Sequence, residues 1–420
     1  MVDKNLFLYD LAIVAIFKNE GHYLKEWIDY HLLAGVEHFY LYNNDSSDDY
    51  KEILAPYVEK NLVTLTEFPG KIMQCPAYED AIDKYRFECR YMAFIDCDEF
   101  IYPKVDIGGS IIEVVDEILS DVPDAAGLAI NWQCFGSNGQ EKADYSRGVL
   151  ERFTRRAPDD WRLGNVYGND YPKSVSNPRR IDFVATPHTM NFFKGFYTIN
   201  EVGEKFESSK VQIHTEKIVV NHYYLKSREE FNLKISRGWA CPGKAPYNDE
   251  RFKNCDRNEI FDDGILKYQA ARAEAYSIES HEQRLSRVKK TLIDTLNQCH
   301  PADAPEEFFV GKLETFLTCR ALAQKLGDDM AEEFSIIWIY WTLVKSNKKT
   351  RAEIYQLIHA LPEILARPFF FCKKFKNFVQ ESLLPAFRDF LKNGNVMTGT
   401  KDWIERADLI YIQKLLRLIK

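Results

Sequence analysis

The chain of 420 residues carries 55 basic and 63 acidic residues, a formal net charge of -8, and 45% hydrophobic residues. This length and composition predict a soluble globular protein of two or three domains. The acidic balance argues against a nucleic-acid-binding protein, because such a protein needs an excess of positive charge to displace counterions. The nine cysteines form no C-x-x-C pair, which favours reduced thiols over a zinc site.

Strand and helix patterns alternate at the beginning of the chain. The predicted segments are a strand at Leu11–Phe17, a helix that Gly35 closes, a strand at His38–Tyr42, a helix at Tyr50–Val58 and a strand at Leu62–Thr66. Because strands and helices alternate, we expect right-handed crossovers. The predicted fold class is therefore α/β, with a mostly parallel sheet flanked by helices.

An acidic cluster follows the next predicted strand. Tyr91–Ile95 is an apolar run suited to a buried central strand, and it leads directly into Asp96-Cys97-Asp98-Glu99. In open α/β sheets, ligands bind outside the carboxyl ends of the strands, so we expect Asp96 and Asp98 at the mouth of a site. Two carboxylates one residue apart suit a divalent cation that also binds phosphate oxygens. The alternative is an acidic turn that only closes the strand.

Polar residues also follow the first two strands. Asn19 and Glu20 come after the first strand, and Asn44 and Asp45 come after the second. Because the carboxyl ends of parallel strands share one edge of the sheet, we expect these four residues to line a nucleotide site together with Asp96. Mn²⁺ or Mg²⁺ bound there would neutralise a diphosphate and ease its departure as a leaving group.

The region after the acidic cluster contains two helix starts and a long polar segment. Ser110 and Ser227 each begin a capping box, with Glu113 and Glu230 at the third helical position. Further predicted elements are strands at Gly127–Trp132, Lys173–Val175 and Gln212–Val220, and a short helix at Leu150–Arg156. We expect the loops between residues 134 and 177 to form the acceptor side of the site, because long ordered loops in compact domains are usually functional.

Helical periodicity replaces the strand patterns from about Asp262 onward, apart from an ambiguous apolar run at Phe334–Val344. We therefore predict an α/β domain over residues 1–265 and an α-helical C-terminal domain over residues 266–420. Arg367–Lys376 is basic and aromatic, and Tyr411–Lys420 is amphipathic. Two interpretations stand for these segments: peripheral contact with an anionic membrane surface, or packing on the α/β domain.

A cytoplasmic location is expected for this chain. Polar residues extend to Asp10, which does not fit a signal peptide. No apolar run approaches the roughly 18 residues that span a bilayer.

Several motifs between residues 10 and 240 together resemble glycosyltransferase family 92 and its bacterial relatives. In chain order they are Phe17-Lys18-Asn19-Glu20, Glu26–His31, Ile95–Phe100, Trp132–Gly139, Glu151-Arg152-Phe153, Lys173, Asn221–Ser227, Glu229-Glu230-Phe231 and Arg237-Gly238. The resemblance implies a GT-A fold, a nucleotide-sugar donor that is often UDP-galactose, a divalent metal and inversion to a β-linkage. The helical tail lies outside the resemblance.

Matched position by position, the resemblance implies the metal ligands. Asp96 and Asp98 resemble the family's metal and nucleotide carboxylates. His222 follows the last sheet strand, where many GT-A enzymes carry an imidazole ligand, and its alternative is a structural histidine. His188 is a weaker rival, since a loop histidine before an aromatic run is often only structural.

Candidate residues can also be named for the catalytic base and for the contact with the diphosphate. Glu151 is the first candidate for the base, with the acid of a helix start as its alternative role. Asp160 and its neighbour Asp159 are rivals, with solvated loop acids as the alternative. Lys173 is expected to contact the diphosphate, against the alternative of a surface lysine.

The expected function is that of an inverting, metal-dependent transferase in surface glycan biosynthesis. It would move a hexose, galactose from UDP-galactose before others, to a hydroxyl of a saccharide or lipid-linked saccharide. The alternatives are a non-catalytic glycan-assembly or glycan-binding protein that keeps the fold, and a sugar nucleotidyltransferase. A sugar nucleotidyltransferase needs a Gly-rich phosphate loop, which Lys18-Asn19-Glu20-Gly21 does not supply.

Overall fold

The computed structural model describes residues 2–104, 109–164, 167–206, 212–236, 248–275, 278–299 and 303–345. The chain divides into two compact units, one formed by Phe7–Leu285 and the other by Met1–Leu6 with the chain from Ser286 onward. All candidate site residues lie in the first unit, which extends past the predicted boundary at 265/266. The predicted domains 1–265 and 266–420 stay a prediction, since residues 346–420 lie outside the described part.

Helices and strands alternate along the described chain. The helices are α1 (Gly21–Leu33), α2 (Tyr50–Glu59), α3 (Gln74–Tyr85), α4 (Ile111–Ser120), α5 (Val149–Arg152), α6 (Arg228–Ser236), α7 (Asp249–Cys255), α8 (Gly264–Ala275), α9 (His281–Leu296), α10 (Leu313–Leu326) and α11 (Asp329–Lys345). The strands are β1 (Tyr9–Phe17), β2 (His38–Asn43), β3 (Val63–Glu67), β4 (Cys89–Phe94), β5 (Glu99–Pro103), β6 (Ala125–Cys134), β7 (Arg155–Arg156), β8 (Arg162–Leu163), β9 (Tyr167–Gly168), β10 (Pro172–Ser176), β11 (Ile181–Thr186), β12 (Thr189–Phe192), β13 (Tyr197–Ile199), β14 (Lys205–Phe206), β15 (Ile218–His222) and β16 (Ile260–Phe261).

One mixed sheet organises the larger unit. Its strand order is β14-β13-β6-β10-β4-β1-β2-β3, and β15 joins it by pairing with both β6 and β5. Strands β1 to β4 run parallel, as predicted, whereas β10 runs antiparallel between β4 and β6. The reversal follows from the connection: the chain reaches β10 through the loops after β6 and not through a crossover helix. The predicted α/β fold class with flanking helices is confirmed.

The carboxyl ends of β1, β2, β4, β6 and β15 share one edge of this sheet, here called the carboxyl edge. Residues Leu11 to Ala15 of β1 are fully buried, as expected for a central strand covered on both faces. In β4, Met92, Ala93 and Phe94 are also fully buried. The rigid centre of the sheet therefore ends directly at the turn that carries Asp96 and Asp98.

Helix α1 ends as the sequence predicts. Gly35 has a φ of 97°, its N–H donates to the Leu32 carbonyl and the next N–H donates to the His31 carbonyl, which together form a Schellman motif. A side chain at Gly35 would meet Ser110, the N-cap of α4, at 2.8 Å. The predicted capping box of Ser110 with Glu113 is present. A glycine at this position therefore allows two helix ends to pack closely.

Side chains of α1 anchor β5. Trp27 Nε1 donates to the Glu99 carbonyl at 2.7 Å, and the Tyr30 hydroxyl donates to the Ile101 carbonyl at 2.8 Å. His31 donates from Nδ1 to the Trp27 carbonyl and accepts the Ile101 N–H at Nε2. Burial lowers the pKa of His31 to about 3, so the ring is neutral, as its acceptor role requires. These hydrogen bonds fix the strand that follows the acidic turn.

Two local predictions differ from the structure, and one ambiguous segment is resolved. The helix predicted at Leu150–Arg156 ends at Arg152, and Arg155–Arg156 forms a short strand with β16. The strand predicted at Gln212–Val220 begins only at Ile218. The ambiguous run at Phe334–Val344 is helical, within α11. For Arg155–Arg156, the partner strand β16 lies far along the chain, so periodicity does not reveal it.

None of the helices among the described residues is both long and apolar enough to cross a bilayer. The segments Arg367–Lys376 and Tyr411–Lys420 lie outside the described residues. Membrane contact and a cytoplasmic location therefore stay predictions.

Candidate active site

The acidic cluster forms a tight turn between β4 and β5. The Glu99 carboxylate accepts the backbone N–H of Asp96 at 2.8 Å, which closes the turn on itself. As a result, the side chains of Asp96 and Asp98 project at the carboxyl edge. The Asp96 side chain is 34% exposed and that of Asp98 is 10% exposed.

Lys173, on the central strand β10, binds two carboxylates of this turn. Its ammonium lies 3.0 Å from Asp96 Oδ2 and 3.2 Å from Glu99 Oε2, and its side chain is 1% exposed. Burial would lower the pKa of Lys173, but Asp96 and Glu99 outweigh that effect and raise it well above its usual value. Gln74 donates to the other Asp96 oxygen at 2.5 Å. The predicted contact of Lys173 with a diphosphate stays a prediction.

Asp98 is paired with two groups from other elements. Lys234 of α6 donates to Asp98 Oδ2 at 2.6 Å, and His222 Nε2 lies 3.6 Å from Asp98 Oδ1. Burial would raise the pKa of Asp98, but Lys234 and His222 hold it well below its usual range. Burial lowers the pKa of His222, so the imidazole is neutral and can serve as a ligand. The Tyr167 hydroxyl lies 3.2 Å from its Nδ1 and orients the ring.

Glu99 is a site residue that the sequence reasoning did not single out. Its side chain is fully buried, and Oε1 has no hydrogen-bond partner. Burial raises the pKa of Glu99 well above its usual value, and the carboxylates of Asp96 and Asp98 add to the rise. Its position in the Asp-Cys-Asp-Glu run was the available signal. We call Asp96, Asp98, Glu99, Lys173 and Lys234 the carboxylate–lysine cluster.

An aromatic wall stands beside His222. The Trp132 ring centroid lies 4.2 Å from that of His222 and 5.1 Å from that of His188. Tyr171 stacks on Trp132 at 5.6 Å with an interplanar angle of 24°. His188 contacts the Pro172 carbonyl through Nδ1 at 3.0 Å, so this rival ligand is tied to β10. The wall therefore stands next to the imidazole that faces Asp98.

The loops after β1, β2 and β3 are joined by hydrogen bonds at the carboxyl edge. The Asn19 N–H donates to Ser46 Oγ at 2.9 Å, and Asn19 Oδ1 accepts the Ser47 N–H at 2.7 Å. Asn44 donates to the Phe68 carbonyl at 2.9 Å, and Asp45 Oδ2 accepts the Gly70 N–H at 3.3 Å. Glu20 is the N-cap residue of α1. The predicted nucleotide residues therefore share one edge, and their binding role stays a prediction.

Backbone strain is concentrated at the same edge. Several non-glycine residues in loops that follow strands at this edge have a left-handed φ of 52° to 59°, namely Asn19, Asp45, Ile72, Asn138 and Lys226. Such conformations cost about 1–3 kcal/mol each and persist where the surrounding structure imposes them. Ile72 is the most unusual, because a β-branched residue rarely adopts this region. The strain supports a functional role for this edge.

The two candidate bases lie in the loops after β6. The Glu151 side chain is 56% exposed and pairs with Arg147 Nε at 2.8 Å. Asp160 is exposed as well, whereas its neighbour Asp159 pairs with Arg156 at 2.6 Å. Nothing in these contacts favours one base over the other.

The residue after Glu151 has a structural role that the sequence did not reveal. Arg152 binds Glu230 with two parallel hydrogen bonds, at 3.0 and 2.6 Å, and both side chains are almost fully buried. Tyr23 and Ser227 donate to the same carboxylate at 2.8 and 2.5 Å. Burial would raise the pKa of Glu230, but these donors lower it to about 2. The second predicted capping box, Ser227 with Glu230, is thus part of a buried ion pair.

The residues of the site fit a divalent cation in donor type. Asp96, Asp98 and His222 offer oxygen and imidazole ligands, and Glu99 Oε1 adds a buried oxygen without a partner. Among the described residues, however, no three such groups already stand close enough together to hold a metal. Lys234 holds one Asp98 oxygen instead. Binding of a cation by these residues therefore stays a prediction.

A mixed α/β sheet with an acidic turn after β4 and an imidazole at the end of β15 defines a GT-A-type domain. The family model of glycosyltransferase family 92 matches residues 13–265, and the chain belongs to this family.

Two relatives and one solved structure align with different shares of the chain. A family 92 protein of Ricinus communis is 24% identical over 232 residues, which are 54% of this chain and 38% of that protein. Galactan beta-1,4-galactosyltransferase GALS3 of Arabidopsis thaliana is 31% identical over 148 residues, 32% of this chain and 28% of its own. The chain thus spans less than half the length of these relatives. The structure of S. aureus TarS 1-349 aligns with 78% of this chain and 90% of its own, at 9% identity and a TM-score of 0.31.

The buried ion pair gives a stability prediction. Replacing Glu230 by Ala leaves Arg152 buried without a counter-charge, so we expect a loss of about 3–5 kcal/mol in the free energy of unfolding. Urea denaturation measures this loss. The matched control is Glu229→Ala, because Glu229 is 43% exposed and pairs with the exposed Lys142 and with the Ala143 N–H; its loss is expected to be much smaller than that of Glu230→Ala. Equal losses in both variants would refute a special role for the buried pair.

Proposed function

We propose that the α/β domain transfers a hexose from a nucleotide-sugar to a saccharide hydroxyl, with inversion at the anomeric carbon. The observation that carries the proposal is the Asp96–Asp98 turn at the carboxyl edge, beside an imidazole and two lysines. UDP-galactose and a β-1,4-linked galactan acceptor are the first substrates to test, because two relatives are named galactan beta-1,4-galactosyltransferases.

Binding of the nucleotide-sugar donor requires positive charge to balance its pyrophosphate. Asp96, Asp98 and His222 would hold Mn²⁺ or Mg²⁺, which supplies positive charge for the departing pyrophosphate. Lys173 holds Asp96 in place through an ion pair of 3.0 Å. Lys234 neutralises Asp98 until the donor binds, and its long side chain then donates to a phosphate oxygen. Lysine is suited to this exchange because its ammonium is a compact charge on a flexible stem.

The nucleotide lies, in this proposal, along the loops after β1 and β2. Asn19, Glu20, Asn44 and Asp45 form the edge that the base and ribose contact. The hydrogen bonds between these loops hold the edge in shape before the donor arrives, which lowers the conformational cost of binding.

The acceptor side requires a base, and Glu151 is the proposed one. Its carboxylate takes the proton of the acceptor hydroxyl, and the acceptor oxygen attacks the anomeric carbon. The bond from that carbon to the phosphate oxygen breaks, and UDP leaves with the electron pair. Asp160 is the second candidate, since it is also exposed among the loops after β6.

Two other functions make different predictions. A non-catalytic glycan-assembly or glycan-binding protein would neither hydrolyse nor transfer UDP-galactose. A sugar nucleotidyltransferase would consume a nucleoside triphosphate and release pyrophosphate. Incubation of the full chain with each substrate and Mn²⁺ separates these functions from glycosyl transfer.

Asp98→Asn tests the donor site. The wild type should bind UDP at least tenfold more tightly with Mn²⁺ than with EDTA, because the ion neutralises the diphosphate, and loss of a ligand commonly costs about 10–100-fold in metal affinity. In Asp98→Asn, the metal-dependent gain should disappear. Isothermal titration calorimetry measures both affinities.

Asp121→Asn is the matched control for this experiment. Asp121 is exposed at the end of α4, near the start of β6 and thus at the opposite edge of the sheet. It should retain the full Mn²⁺-dependent gain. If Asp98→Asn also retains it, Asp98 does not belong to the donor site.

Glu151→Gln and Asp160→Asn distinguish the two candidate bases. Loss of the base should lower the rate of galactosyl transfer by about 10²–10⁴-fold, because the acceptor hydroxyl keeps its proton. The affinity for UDP should stay at the wild-type value. Turnover at saturating substrate is the measurement, and normal turnover in Glu151→Gln would eliminate Glu151.

A further inference from the structure

A cavity of about 240 Å³ opens between the start of α1 and residues 145–152. Aromatic rings form part of its lining. His22 and Tyr145 stack with their centroids 4.0 Å apart and an interplanar angle of 20°, and Tyr23 lies 6.2 Å from Tyr145. Tyr145 nevertheless keeps 45% of its surface exposed. The cavity therefore presents an aromatic surface that a ligand can reach.

The floor of the cavity is fixed by Glu26. Its carboxylate accepts the N–H groups of Val149 and Leu150, at 2.5 and 3.1 Å. A side chain at Gly148 would lie 2.1 Å from Glu26 Oε1, so only glycine lets the backbone approach this closely. The cavity thus has a preformed floor and does not depend on a ligand for its shape.

The charges around the cavity are already balanced. Lys25 pairs with Asp29 at 2.5 Å, Arg147 with Glu151 at 2.8 Å and Arg152 with Glu230 at 2.6 Å. An anionic ligand would have to compete with these carboxylates for each basic group. A neutral ligand with hydroxyl groups and an apolar face meets no such competition, because it can stack on Tyr145 and exchange hydrogen bonds at the rim.

The size and position of the cavity restrict further the class of ligand that it can bind. It is smaller than the roughly 300–1,000 Å³ typical of sites for drug-sized ligands, and suits a single sugar ring. Tyr23 separates it from the active site. The Lys226 ammonium lies 4.2 Å from the Tyr23 ring centroid and is close enough to Asp98 to lower the pKa of that carboxyl. The cavity thus lies apart from Asp98, and the proposed base Glu151 stands at its rim through the pair with Arg147.

We propose that this cavity binds one sugar ring of the acceptor saccharide, at a distance from the ring that receives the new hexose. The inference rests on the proposed glycosyl transfer, and it adds a specificity site for acceptors longer than one sugar. Tyr145 provides the stacking surface for the apolar face of the ring. Glu26 holds the floor through the backbone of Val149 and Leu150.

Binding of β-1,4-linked galactotetraose to the full chain, without donor, tests the proposal. Ligand-observed NMR titration gives the dissociation constant. Tyr145→Ala should weaken binding about tenfold, because it removes the stacking ring. Tyr145→Phe should bind as the wild type does, because it keeps the ring. Both variants change an exposed side chain and should fold normally.

Phe261→Ala is the matched control, because Phe261 is an aromatic residue with 60% exposure that does not line the cavity. It should leave the dissociation constant unchanged. The proposal is overturned if the wild type does not bind galactotetraose, if Tyr145→Ala binds it as well as the wild type does, or if inorganic phosphate displaces it. UDP binding with Mn²⁺ is measured on the same sample, so failure of the cavity and failure of the transferase proposal are told apart.

Discussion

The pairing of buried carboxylates with lysines at the β4–β5 turn is the interaction on which the rest of the site depends. Carboxylates that leave water lose several kcal/mol of hydration unless a counter-charge replaces it. Lys173 supplies that charge to Asp96 from the interior of the sheet, and Lys234 supplies it to Asp98 from outside. Lys173 is buried within the sheet, whereas Lys234 lies on helix α6 at the rim of the site. In the proposed function, this difference lets Asp98 exchange Lys234 for a metal ion while Lys173 stays on Asp96.

The topology of the sheet makes this pairing available. Because β10 inserts antiparallel between β4 and β6, Lys173 comes within reach of two carboxylates of the turn. The helix α1 holds the other end of the turn through Trp27 and Tyr30, which bind carbonyl groups of β5. Several residues of the family motifs therefore support the site without touching a substrate. The Arg152–Glu230 pair extends this support to the loops after β6, which we propose as the acceptor side.

The sequence predicts those features that depend on neighbouring residues. The buried strands, the acidic turn and both capping boxes follow from local periodicity and from side chains three residues apart. The partners of the acidic turn could not be found in this way, since Lys234 lies 136 residues from Asp98. The acidic run contains Glu99, but only the fold shows that its carboxylate meets Lys173. Likewise, the resemblance makes Glu151 a candidate base because it opens the short helix, while its buried neighbour Arg152 has the clearer structural role.

The most direct test of the central claim is a crystal structure of the full chain with Mn²⁺ and UDP, with an anomalous difference map at the manganese edge. The account predicts an anomalous peak in contact with Asp98 and His222, with Lys234 moved from Asp98 to a phosphate oxygen. Lys173 should still bind Asp96. A manganese peak on another face of the protein, or UDP bound while Lys234 still holds Asp98, would contradict the account.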